Sequence, residues 1–429
     1  MVPPGPARLS HGMVDIRNIS QKQALAFIFV TVLIDAIGFG IVIPVFPRLI
    51  MALTGETIGG AARISGWLML MYASIQFVCG PVIGGLSDRF GRRPVLLASL
   101  LALGLDYLVM AFAPGFAWLV AARAVAGVAG ASFPTAYAYI ADVSPPEKRA
   151  ANFGVIGMAF GFGFILGPAL GGLVAQFGDR VPFMVAAALA LGNVAYGLFV
   201  VPESLKPENR RGFEWRRANP VGALLRLKSA HPRVLVLAAI MLLWTMGYQA
   251  LYATWAYFGI ERFGWSAGQV GASLAAVGLS GALAQGVLSR RLIPRHGPRN
   301  IVIAGAISAI SAYLIYAFAS QGWMMYVGII AALLQPLVFP SLQGMMSAGV
   351  AASEQGELQG AVSSLQSISS IFGPPLMTGA LAWFSGPAAP VYFPGAPFLL
   401  GAGFSALALL VFLRAGALRP GGEPLRASN

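Results

Sequence analysis

Charge is scarce in this sequence. Asp, Glu, Lys and Arg make up 10% of its 429 residues, where a soluble domain averages about 25%. Acids are the rarer sign, 15 against 28 Lys and Arg. There is one cysteine, Cys79, so no internal disulfide can form. The three histidines, His11, His231 and His296, lie outside the apolar runs. No Ser/His/Asp set, phosphate-cradling loop or metal-ligand cluster emerges from what remains. These shortages argue against an enzyme, and no cofactor or bound metal is expected.

What the chain has instead is apolar length. Hydrophobic residues make up 57%, and the mean hydropathy is +0.75. The 53 glycines and 29 prolines suit membrane helices, which tolerate both. Twelve apolar runs can be marked, at about 24–46, 63–86, 94–113, 116–141, 152–176, 182–202, 233–258, 267–289, 300–320, 323–348, 357–384 and 396–414. Each approaches or exceeds the roughly 20 residues that cross a hydrocarbon core. The first run is too long for a signal peptide and holds Asp35 and Pro44, so it reads as a retained helix.

The net charge of +13 sorts by side. Basic residues crowd the N-terminal tail, the loops after runs 2, 4, 6 and 8, and the C-terminal tail. The opposite side holds Arg48, Arg63, Arg180 and Arg262, and Arg123 lies inside a run. This is the positive-inside pattern. It places both termini in the cytoplasm and makes a nucleic-acid partner unnecessary. The expected organisation is a tail (1–23), a six-helix bundle (24–202), a linker (203–232), a second bundle (233–414) and a tail (415–429).

One hinge stands out: Gly84-Gly85-Leu86-Ser87-Asp88-Arg89-Phe90-Gly91-Arg92-Arg93-Pro94. Gly91 permits a sharp reversal, Pro94 fits a first helical turn, and Asp88 can accept from helix-end N–H groups or a guanidinium. The stretch resembles the loop signature between helices 2 and 3 of the major facilitator superfamily of secondary transporters. Over about residues 24–415, the chain resembles the tetracycline-type drug/proton antiporters of that superfamily. The resemblance implies an all-α membrane fold of twelve helices in two pseudo-symmetric six-helix bundles. It gives Gly84, Asp88, Arg89, Gly91, Arg92 and Arg93 a gating role.

The chain also repeats itself. Gly91 and Gly297, Phe133-Pro134 and Phe339-Pro340, Gly154 and Gly360, and Gly167-Pro168 and Gly373-Pro374 share one offset of 206 residues. Two copies of one bundle put a substrate near the midplane between them. The second hinge is degraded, with Arg290 where the first has Asp88.

Charges inside spans are costly and carry a functional expectation. Asp35 lies about eleven residues into span 1, roughly 16 Å deep, in a stretch that resembles the family's helix 1 signature. Asp106 lies within span 3. Arg123 opens Arg123-Ala124-Val125-Ala126-Gly127-Val128-Ala129-Gly130, which resembles the helix 4 signature linked to proton transfer. Either aspartate could reach Arg123, so Asp35, Asp106 and Arg123 are the expected proton-coupling residues. In span 5, Gly163, Gly167, Pro168 and Gly171 resemble the family's antiporter signature and are expected to take part in gating, with Pro168 bending or hinging the helix; the glycine spacing also suits plain close packing.

Recognition chemistry is expected from Trp244, Tyr248, Tyr252 and Trp255, which keep helical spacing along span 7. Gln76, Gln249, Gln335, Gln343, Gln366 and Tyr137 add neutral polar groups. Such a wall suits flat amphipathic molecules, cations among them. Tetracycline exporters commonly carry a histidine in helix 8 and an aspartate in helix 9; Gly281 and Ala309 stand there. The expectation is a monomeric inner-membrane pump in contact with lipid. It would expel small amphipathic compounds against proton entry, with metal-free cargo preferred and tetracycline a weaker one. A proton-coupled importer of a small metabolite is the rival reading.

Overall fold

The structure is a computed structural model that describes residues 21–130, 132–212, 232–351 and 354–415. Most of both tails and residues 213–231 of the linker fall outside the described residues, with His11, His231 and many basic side chains of the tails and linker.

The described residues are helical throughout. The first half holds α1 (Gln21–Val42), α2 (Phe46–Thr54), α3 (Ile58–Phe90), α4 (Arg92–Phe112), α5 (Phe116–Ala129), α6 (Ser132–Val143), α7 (Arg149–Val174) and α8 (Val181–Val200). The second holds α9 (Pro232–Phe263), α10 (Ala267–Leu283), α11 (Ser289–Ala317), α12 (Trp323–Ala331), α13 (Val338–Ser347), α14 (Gln355–Ser385) and α15 (Ala396–Arg414). They make twelve crossings, because α1 with α2, α5 with α6, and α12 with α13 each form one, and the second hinge folds α11 back at Gly297.

Three spans expected as single helices are broken. Span 1 turns between Val42 and Phe46, where Pro44 and Pro47 remove backbone donors. Gly55 (φ +71°) then ends α2, its N–H bonded to the Met51 carbonyl at 2.8 Å. Span 4 breaks at Gly130. Pro134 comes four residues later and has no N–H, so the Gly130 carbonyl loses its helical donor. Gln76 Nε2 donates to that oxygen instead, at 2.7 Å. Span 10 departs from α geometry at the corresponding place in the second copy, over Ala332–Leu337, a 3-10 turn holding Pro336. There Ser308 Oγ donates to the Ala331 carbonyl and accepts from Leu334 N–H.

Large side chains left on the outside, such as Trp118, Phe199 and Trp323, face where lipid would be. Two arginines opposite the arginine-rich hinge complete helix ends. Arg180 donates to the Ala111 and Ala113 carbonyls at 3.0 Å each, and Arg262 to the Ala319 carbonyl at 3.2 Å.

The halves meet along α3 with α14 and α7 with α10. Contact is close at the end away from the arginine-rich hinge. A Cβ on Gly66 would lie 3.0 Å from Pro375 Cα, one on Gly59 3.5 Å from Ala382 Cα, and one on Gly172 2.9 Å from the Ala267 carbonyl. Towards the hinge, Gly80 and Gly84 on α3, Gly157 and Gly161 on α7, and Gly281 on α10 face open space. The two halves therefore form a cleft closed at one end and open at the arginine-rich end.

Candidate functional site

A cavity of about 710 Å³ lies between the halves. Of the residues singled out from the sequence, Gln76, Arg123, Trp244, Tyr248, Gln249, Tyr252, Gln335 and Gln366 line it. Trp244, Tyr248 and Tyr252 are spaced by four along α9, and the Tyr248 and Tyr252 rings meet edge-on at 5.0 Å. Three of the expected recognition residues do not line it. Trp255, three residues past Tyr252, has turned into the core of the second half. It is 1% exposed, its Nε1 donates to Ser273 Oγ at 2.9 Å, and it packs edge-on against Tyr316. Gln343 bonds to Gln359 at 2.9 Å, away from the cavity. Tyr137 lies edge-on to Phe153 outside it.

The cavity also recruits Tyr72, Tyr107, Phe160, Phe164, Tyr257 and Gln285. Gln285 sits in a π-helical turn, Ala284–Leu288, between α10 and α11. Such turns are rare and often mark functional positions. No sequence pattern announces one. Gln335 spends its amide on Tyr313 Oη at 2.8 Å, so it orders the wall as well as lining it.

The intramembrane charges separate into two kinds. Arg123 pairs with Asp106 through two contacts. Nε donates to Oδ1 at 3.1 Å, and Nη2 meets Oδ2. The hydrogen bond and the second charge contact together orient the guanidinium, and the Tyr72 ring centroid lies 5.9 Å from its Cζ. Asp106 is fully enclosed while Arg123 reaches the cavity wall. Asp35 is 5% exposed and is not part of the wall. It lies close enough to Tyr72 and Tyr107 to act on both phenols electrostatically. Tyr107 packs at Gly38, one turn along α1 from Asp35, where a Cβ would come within 3.3 Å of the ring.

The span 5 glycines meet α1. A Cβ on Gly163 would strike Ala36, one on Gly167 the Gly40 backbone, and one on Gly171 the Ile41 carbonyl. The Pro168 ring also lies against Gly40 of α1, while the Pro168 carbonyl is approached by Gly271 of α10. Span 5 thus packs on its own bundle through one face and on the second half through another.

At the hinge, Gly91 takes φ +111° and Gly297, its counterpart, φ +76°. Arg92 pairs with Asp88 and Asp142, reaching the latter at 3.1 Å, and bonds Ser87 Oγ at 2.7 Å. Arg93 donates to the Leu198 carbonyl, and Arg89 lies over the Phe90 ring. Gly84 faces open space. Glu203, which the sequence did not single out, accepts from the backbone N–H groups of Arg92 at 2.8 Å and Arg93 at 3.3 Å. Among the described residues these bonds join spans 2, 3, 4 and 6 and the start of the linker, all within the first half.

The Major Facilitator Superfamily profile matches residues 28–374 and 260–428. The chain is 40% identical over 364 residues to the class C tetracycline resistance protein of Escherichia coli, covering 85% of this chain and 91% of that protein. It is 28% identical to multidrug resistance protein 2 of Bacillus subtilis, covering 91% and 96%. Its fold is similar to that of the nucleoside transporter NupG, with a TM-score of 0.74 at 12% identity over 91% of this chain and 99% of that one. The human organic anion transporter MFSD10 gives a TM-score of 0.68 at 22% identity, over 92% and 100%. Sequence, architecture and relatives agree: this chain belongs to the major facilitator superfamily, in the company of the tetracycline resistance proteins.

Proposed function

We propose that the protein is a proton-coupled exporter of small amphipathic compounds, tetracycline among them, and that it works by alternating access. The observation that carries this reading is a cavity between two halves, walled by aromatics and amides, with buried carboxylates beside it and an opening at one end only. The arginine-rich end, with both termini, faces the cytoplasm of a bacterial inner membrane, so the present form takes cargo from inside. The protein acts as a monomer, makes and breaks no covalent bond, and needs no cofactor beyond the proton gradient.

Asp35 carries the proton. It sits within span 1, 5% exposed and beside the cavity wall, where an ionisable side chain is a functional position by default, and the neutral form is the one that crosses. Arg123 does not exchange freely, because Asp106 already neutralises it; together they hold a fixed dipole against the wall. Proton entry from the outer side loads Asp35 in the outward-open form, and release to the cytoplasm resets it. The hinge network of Asp88, Arg92, Arg93 and Glu203 moves with the first half as one piece and sets where that half stops.

Inside-out vesicles energised with a proton gradient should accumulate labelled tetracycline. Asp35→Asn should abolish accumulation while leaving normal amounts of protein in the membrane. Accumulation at the parental rate by that variant would remove Asp35 from the coupling step.

A further inference from the structure

The chemistry of the cavity wall narrows the cargo, on the reading that this cavity is the transport site. We infer that the preferred cargo is a flat aromatic compound bearing an acidic oxygen, a carboxylate or an acidic enol or phenol, which sits on Arg123. Flat cations are disfavoured.

The wall decides this by what it exposes. Among the described lining residues, Arg123 is the one side chain charged at neutral pH, and no carboxylate is present. Its partner Asp106 has 0% side-chain exposure, against 16% for Arg123. Asp106 occupies the Nε and Nη2 edge, which leaves Nη1 to donate elsewhere. The pair is neutral overall but oriented, with donors towards the cavity and the carboxylate behind them. Asp35 is likewise withheld, since Tyr72 and Tyr107 line the wall and Asp35 does not.

An anionic oxygen entering this space meets a guanidinium already held in plane by Asp106 and Tyr72, so little freedom is lost on binding. Hydrogen bonds to an ionised partner are the strong kind. A cation entering the same space loses its water and finds ring faces but no carboxylate. Ring faces alone compensate part of that loss. The polar edge of a cargo can meet Gln366, which is exposed, and Ser370 beside the Gln249 amide. Aromatic walls by themselves suggested that cations would be welcome; the oriented ion pair reverses that.

The test uses three pyrene probes of one shape: pyrenebutyrate, pyrenebutanol and a pyrenyl-butyl-trimethylammonium. Binding to the purified full-length protein is read by tryptophan fluorescence in detergent, without any gradient. Pyrenebutyrate should bind at least about ten-fold tighter than the ammonium probe. In Arg123→Gln combined with Asp106→Asn, which leaves no orphaned charge, the two should bind within about two-fold. Gln366→Glu places a carboxylate on the wall with the native pair intact. It should weaken pyrenebutyrate and strengthen the ammonium probe, each by about ten-fold. Equal or tighter binding of the cation by the parental protein overturns the inference. So does an anion preference that Gln366→Glu leaves unchanged, a result readable even if the double variant fails to fold. Absence of a gradient keeps the two readings apart. Loss of proton-driven accumulation leaves this ranking intact, whereas a reversed ranking beside normal tetracycline efflux overturns the cargo class alone.

Discussion

Glu203 shows how one side chain can organise a turn. Its carboxylate sits at the N-terminus of α4, where two backbone donors point outward and the helix dipole favours an anion. Gly91 lets it approach, since a Cβ there would collide with the carboxylate and would also sit at φ +111°. Glu203→Gln should therefore destabilise the folded protein by about 1 kcal/mol, and Gly91→Ala by about 1–3 kcal/mol. Thermal unfolding in detergent checks both; an unchanged midpoint for Gly91→Ala would mean the turn relaxes at no cost. Asp88, Gly91, Arg92 and Arg93 are legible in the sequence because they lie together. Glu203 is not, because its partner Arg92 is 111 residues away. Gln76 lies between these cases. Its presence in a span marks it as polar, and counting back four residues from Pro134 names the carbonyl it serves.

Span 5 teaches the same lesson at the level of a helix. The four-residue spacing of Gly163, Gly167 and Gly171 is plain in the sequence, but the helix they meet is not. The structure supplies α1, whose Ala36, Gly40 and Ile41 lie against them. Gly167→Leu would push a branched side chain into a backbone contact, and overpacking of this kind costs about 1–3 kcal/mol. Gly157, on the same helix, faces open space, so Gly157→Leu should leave the unfolding midpoint within about 0.5 kcal/mol of the parent. Equal losses from the two would show that small size matters along the whole helix rather than at one crossing. The breaks in spans 1 and 4 were hidden by continuous hydropathy, which measures apolar content and not backbone bonding. The π turn at Gln285 was hidden for the same reason. Trp255 was misplaced because the cavity face of α9 is centred on Thr245, Gln249, Ala253 and Ala256; at 3.6 residues per turn Trp255 falls about 60° back from Tyr252, on the flank that packs into the second half.

The whole molecule is two bundles touching at one end. The bundle count and the side preference of charge could be read from repeats and arginines, since both are written along the chain. Which end is closed could not, because it is a balance between two packings of the same residues. The closed end has two separate seams, α3 on α14 and α7 on α10, and in a rigid-body movement they must open together. Gly271 lies in the second seam, where its Cβ position meets the Pro168 carbonyl and lies 3.1 Å from Gly172 Cα. Gly271→Leu should wedge that seam apart at about 1–3 kcal/mol, a change of about 5–150-fold in the ratio of the two forms. Ser65 lies beside the first seam, next to Gly66 and against Tyr257 of α9, and is 0% exposed. In a Cys79→Ser background, a Ser65→Cys reporter should resist an impermeant maleimide applied from the side opposite the arginine-rich hinge. Adding Gly271→Leu should make that reporter react, although the substitution is on another helix pair. A reporter that stays protected while the α7–α10 seam opens would show that the seams move independently, and that the halves do not rock as rigid bodies.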